Sequence, residues 1–356
     1  MSAGARGFRS TETVAASVVE RWKSGFIANP AYDAVFFIFA PLLGLGLAFL
    51  VTRPVGRGQA IFIDPRLAYC SSVWTYAHLC AVVFRSHLNT TIFAQHRGRF
   101  IAVPLLVYAG LVSSQWIFAI GFVLIVFWDV YHTSAQNFGF CRIYDSKQGN
   151  SPEQGRALDF WLNHFIYIGP VLGGINLMPH LTTLGEFRLV GVDLSGVVTK
   201  IRDAQPVITE TVVIAGLVYL AFYLYSYWQI SRQGYRVSPQ KISLLVSTAV
   251  ASIWAWSRLP PVQAFFVANF FHALQYFAIV WWIEKKNIVG VFGLARLSFG
   301  RQMALLGFIA VVAVMGIGYR TAINKGVYWA SLTIVISMMH FWYDGFVWSV
   351  RRHEVG

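Results

Sequence analysis

Three stretches place a histidine within one helical turn of a carboxylate or an amide, each inside an apolar run. They are Asp129, His132 and Gln136 in the run 129–136, Asn269, His272 and Gln275 in 269–275, and His340 with Asp344 in 340–344. Residues three or four apart share a helix face, so each histidine can be oriented from its own helix. Imidazole with carboxylate is a donor set for iron, zinc or manganese, and an open position on iron suits oxygen chemistry. A charged group at the centre of a membrane helix costs about 2.5–3.5 kcal/mol on insertion scales, so something must offset it.

Two further histidines, His78 and His164, lie in other apolar runs. Counting residues into each run puts His78, His132, His164, His272 and His340 in one slab of the inner half of the membrane. These five are the expected metal ligands. Asp129 and Asp344 are expected as ligands or as orienting carboxylates. Gln136, Asn269 and Gln275 would accept the imidazole N–H that a metal leaves unused. Tyr131 and Tyr276, next to candidate ligands, are the expected groups for substrate contact or proton handling. A lone buried histidine is often only a hydrogen-bonding bridge between helices, but five at one depth point to a shared site.

Arg85, His87, Asn89 and Arg142 fall at the inner ends of apolar runs and are expected to meet lipid headgroups, with His87 and Asn89 also placed to close the site from that side. His96 belongs to the same basic loop. His180 and His353 read as solvated loop and tail residues.

The elements that must position these groups are membrane helices. Of 356 residues, 56% are hydrophobic and only 12% charged, against about 45–50% and about 25% in soluble domains. The expected fold is therefore all-α, a polytopic helical bundle. Runs able to span cover about 34–52, 68–88, 100–114, 116–138, 158–178, 207–230, 241–257, 262–283, 302–319 and 323–349, so about ten spans, eight at the fewest. The tight turn at Ser113 to Gln115 decides whether 100–138 is one span or two. With the N-terminus cytoplasmic, 19 of the 28 Lys and Arg residues fall on the inner side, as the positive-inside rule requires.

Residues 11–28 carry the pattern of an interfacial amphipathic helix. The expected organisation is an N-terminal cytoplasmic segment 1–32, one transmembrane domain 33–350 and a basic tail 351–356. The +13 charge sits in short loops, where topology and anionic lipid explain it better than nucleic acid. Cys70, Cys80 and Cys141 show no zinc-like or disulfide spacing. No short apolar segment with a cleavage site opens the chain, so a cleaved signal peptide is not expected. The location implied is a multi-pass integral membrane protein, of the inner membrane if bacterial.

In design the chain resembles integral-membrane di-iron desaturases and hydroxylases, which hold iron with histidines at the cytoplasmic side of a helical bundle. It lacks their HxxxH and HxxHH boxes, so no residue role is carried across. The reading that follows is a membrane metalloenzyme binding one or two transition-metal ions, with iron preferred. It would be an oxygenase, hydroxylase or desaturase acting on a lipid or isoprenoid, with membrane lipids and an electron donor as partners. The alternatives are a b-type haem protein and a proton- or ion-coupled transporter using the same buried His and Asp residues.

Overall fold

The computed structural model describes residues 25–55 and 60–348. The expected amphipathic helix at 11–28 and the tail with His353 lie almost wholly outside these residues. Helices make up nearly all of the described chain. The exception is a short antiparallel ribbon of β1 (Thr52–Val55) and β2 (Ala60–Ile63), in which Thr52 pairs with Ile63.

The chain opens with α1 (Pro30–Asp33), a π-helical turn (Ala34–Ile38) and α2 (Ala40–Val51). After the ribbon come α3 (Pro65–Ala81) and its short continuation α4 (Val83–Ser86), then α5 (Thr90–Ser113) and α6 (Gln115–Lys147). Next are α7 (Arg156–Gly173), a segment of α8 (Leu177–Leu181), a 3-10 helix (Thr182–Val190) and α9 (Ser195–Asp203), and the long α10 (Gln205–Arg232). The last four are α11 (Pro239–Arg258), α12 (Pro261–Val291), α13 (Gly300–Ala322) and α14 (Val327–Val347).

Their ends follow from local chemistry. The side chains of Asn29, Asp64, Asn89, Ser114 and Ser238 each accept a backbone N–H in the first turn of the helix they precede, which supplies partners to donors that a helix start leaves unpaired. Ser114 is extended and separates α5 from α6, so 90–147 is two helices. The expected third span is lengthened at its start by residues 90–99, which include Arg97 and Arg99, and His96 bends it where its backbone leaves helical geometry.

Among the described residues five helical segments are long and apolar enough to cross a membrane: Pro65–Ser86, Gln115–Lys147, Gln205–Arg232, Pro261–Val291 and Gly300–Ala322. The bent pair Pro30–Ile38 with Ala40–Val51 makes a sixth if it is one span. The helices α5, α7, α11 and α14 coincide with the other expected runs but fall short of that test. In α14 the reason is visible: Thr333, Ser337 and His340 form a buried polar stripe on one face, and Ser331 is buried on another. α12 is the central helix, with 67% of its apolar window buried against 6% for the peripheral α10.

Close approaches fix the packing. A Cβ on Gly316 of α13 would lie 2.6 Å from the Val73 carbonyl of α3, so only glycine permits that crossing. The segment between α7 and α10 lies against the N-terminal end of α6, where Trp116 meets Phe187. The opposite end of α6 is tied through Asn150, whose amide both donates to and accepts from the Arg236 backbone.

Candidate metal centre

Four of the five expected ligands come together. His78 of α3, His132 of α6, His272 of α12 and His340 of α14 are all essentially buried. Their rings form a closed quadrilateral in the order His78, His272, His132, His340, with sides of 4.8, 5.0, 4.8 and 5.0 Å between centroids and steep interplanar angles. Within it, one ligand atom each from His78, His272 and His340 lie within 4.8 Å of one another, and so do those of His132, His340 and Asp344.

The tightest pair is His132 Nε2 and His340 Nε2, 3.1 Å apart. Two nitrogens bound to one ion at zinc-like bond lengths are about 2.9 Å apart at a right angle and about 3.4 Å apart at the tetrahedral angle. The observed spacing falls between. Asp344 Oδ2 lies 3.6 Å from His132 Nε2 and 3.8 Å from His340 Nε2. Its other oxygen, Oδ1, accepts from the Tyr276 hydroxyl and the Trp348 indole N–H, both at 2.9 Å. One carboxylate oxygen is therefore anchored and the other presented to the imidazoles.

Both ring nitrogens of His78 and of His272, and Nδ1 of His340, are buried with no partner in hydrogen-bond geometry. An unpaired buried polar group costs about 1–3 kcal/mol, and an ion that takes one nitrogen from each of these rings would offset part of that cost.

Two expected members stand apart. His164 on α7 bonds through Nδ1 to the Phe160 carbonyl at 2.6 Å and packs by Tyr131, away from the quartet. Asp129 faces Tyr167 and belongs to neither ligand group.

The amides act on backbones more than on imidazoles. Gln136 Nε2 donates to the His272 carbonyl at 3.2 Å and to Gln275 Oε1 at 3.0 Å, and Gln275 in turn donates to the Phe37 carbonyl. They bind α6 to α12 and α12 to the N-terminal π turn. Asn269 only donates to Phe265 of its own helix.

Of the groups expected at lipid headgroups, Arg85 and Arg142 are turned inward, Asn89 is half-buried and His87 is exposed. Arg85 is buried, pairs with Glu284 at 2.6 Å, donates to the Val347 carbonyl and lies over the Trp348 ring. Asn89 caps α5 and donates to the same Glu284. His87 contacts Ser86 Oγ at 2.8 Å and packs near Tyr343. Arg142 is buried in a neutral cluster: its Nη1 meets Asp145 and Asp159 at 2.6 Å each, and Lys241 meets the same two carboxylates at 2.9 and 2.7 Å. Tyr223 and Tyr227 donate to Asp159, and Tyr235 donates to Asp145. Gly155, at φ 71°, lies where a Cβ would collide with the Tyr227 hydroxyl. An arginine at the end of an apolar run reads as interfacial because the carboxylates that bury it, Asp159 for Arg142 and Glu284 for Arg85, lie on other helices. The local signal of that cluster is Arg142 with Asp145 one turn on, a pair expected at the interface that the structure buries. His180, expected in solvent, is buried between Trp256 and Phe265 and bonds to the Asn176 carbonyl. Burial holds its imidazole below the ordinary pKa.

A cavity of about 520 Å³ opens onto the quartet from one side. It reaches His132, Asp344 and Tyr276, and its other walls are mainly aromatic. Comparison of the chain with family models, curated proteins and solved structures finds no match.

Proposed function

We propose that this chain is a multi-pass membrane enzyme that binds a transition metal with His78, His132, His272, His340 and Asp344. We further propose that it carries out an iron-dependent oxidation of a lipid or isoprenoid, as an oxygenase, hydroxylase or desaturase. The observation that carries the metal reading is the convergence of His78, His272 and His340, whose rings hold unpaired buried nitrogens, next to the group of His132, His340 and Asp344 with its anchored carboxylate. The two groups share His340, and their imidazole and carboxylate donors, with no thiolate among them, suit iron.

The metal would supply redox chemistry with oxygen. The rest falls to the protein. Tyr276 and Trp348 fix the Asp344 carboxylate, Gln136 and Gln275 hold α6 and α12 at the separation the quartet needs, and the aromatic walls exclude bulk water. Adjacent imidazole rings contact one another at steep angles, leaving no slot for a flat macrocycle between neighbours, which favours a bare ion over haem.

For the membrane arrangement we propose ten spans with a cytoplasmic N-terminus. Under this arrangement the four ligand helices run in the same direction, which accounts for histidines near the middle of each meeting at one level.

Elemental analysis of the purified protein tests the proposal. A stoichiometric transition metal is expected in the wild type and its loss in His132→Ala and His340→Ala. Metal-free wild-type protein, or variants that keep their metal, would sink it. A relay-type transporter would instead show proton or ion flux in vesicles that survives chelation.

A further inference from the structure

The cavity beside the quartet is long rather than round. On α6 alone its lining runs from Trp128 to Ile143, fifteen residue steps or about 22 Å at the helical rise. Its walls there and across from it are Phe138, Phe160, Phe341 and Phe346 with Trp128 and Tyr131. This is an apolar channel sized for a chain, not a pocket for a compact polar metabolite.

Two glycines keep it open. Gly139 of α6 and Gly345 of α14 both line it, and a Cβ added at either would meet no atom within 4 Å. Glycine inside a helix costs about 0.5–1 kcal/mol relative to alanine, and neither position is a turn or a close helix crossing. Space for something else explains the choice. Gly345 and Tyr131, which line the cavity, are both solvent-accessible.

The ends differ. His132 and Asp344 lie toward the Trp128 end. Toward the other end the guanidinium of Arg156 lies 5.1 Å over the Phe138 ring, six residue steps or about 9 Å beyond His132. Arg142 lines the same end; its Nη groups are taken by Asp145, Asp159 and loop carbonyls, and its Nε is a buried donor without a partner. Guanidinium groups are matched to oxyanions.

We propose that this cavity binds a single-chain lipid lengthwise, its oxyanion end at Arg156 and Arg142 and a mid-chain carbon beside His132 and Asp344. Oxidation at that carbon rests on the metal reading above; the binding mode does not. The oxyanion is a carboxylate or a phosphate, as in a fatty acid or a prenyl phosphate.

Parinaric acid, a fluorescent polyene carboxylate, tests it on full-length protein in nanodiscs. Wild type is expected to bind saturably, Gly139→Ala to match it, and Gly139→Leu to bind at least about ten-fold more weakly while retaining its metal, a loss of about 1.4 kcal/mol or more. Arg156→Gln is expected to weaken binding by about ten-fold, in line with loss of a charge-assisted bond. Competition by oleate alone assigns a carboxylate head, and competition by farnesyl phosphate alone assigns a phosphate head. No saturable binding by wild type, or binding indifferent to both Gly139→Leu and Arg156→Gln, overturns the proposal. Metal-free protein that still shows Gly139-sensitive binding would overturn the metal reading and leave this one standing.

Discussion

Asp344 is the residue on which the centre turns, because its two oxygens do different things. Oδ1 is held by Tyr276 and Trp348, so Oδ2 is the atom left to face His132 and His340. Partners that orient a ligand from behind are worth about 10–100-fold in metal affinity or activity. Tyr276→Phe is therefore expected to weaken metal binding by about that factor without altering the fold, measured by chelator competition with circular dichroism as the control. Asp344→Asn keeps the shape and removes the charge; its metal should be lost at chelator concentrations the wild type withstands. Trp348 also carries the Arg85 guanidinium on its face, which links the centre to the buried Arg85 and Glu284 pair. An unchanged chelator profile in Tyr276→Phe would show that Asp344 needs no anchoring.

At the level of elements, the fold brings α6, α7, α10 and α11 together through the buried cluster of Arg142, Asp145, Asp159 and Lys241. Its charges balance, and each carboxylate has several donors. Removing one member of such a set strands the others and costs about 3–5 kcal/mol. Lys241→Met should accordingly lower the thermal midpoint clearly, and adding Asp159→Asn should recover part of the loss, read from unfolding curves in detergent. Loss without recovery would mean that Lys241 contributes packing rather than charge. The cluster shows what periodicity leaves out. The apolar runs marked the helices well, down to the break at Ser114, but the period of a helix does not say which neighbour its polar residues face. The short ribbon after α2 also lacked a signal, since its strands are only four residues long.

For the molecule as a whole, the proposed orientation makes a direct prediction. Cysteines introduced at Ser151, in the loop after α6, and at Lys200, in α9, lie near opposite ends of α6 by the contacts described above. In a Cys70→Ser background, needed because Cys70 is exposed, an impermeant thiol reagent added outside intact cells should label Lys200→Cys and spare Ser151→Cys until the cells are opened. The reverse pattern would invert the topology. The sequence by itself determined that the chain is helical, apolar enough for a membrane, and provided with histidines near the middle of several helices, because hydropathy and helical spacing are local properties. Tertiary structure alone decided that His78, His132, His272 and His340 meet while His164 and Asp129 do not. It also decided that Arg85 and Arg142 turn inward and that Gly139 and Gly345 face one channel. The rotation of each helix about its axis sets these outcomes. That rotation is fixed by contacts such as Gln136 with Gln275 and Gly316 with Val73, between residues far apart in the chain.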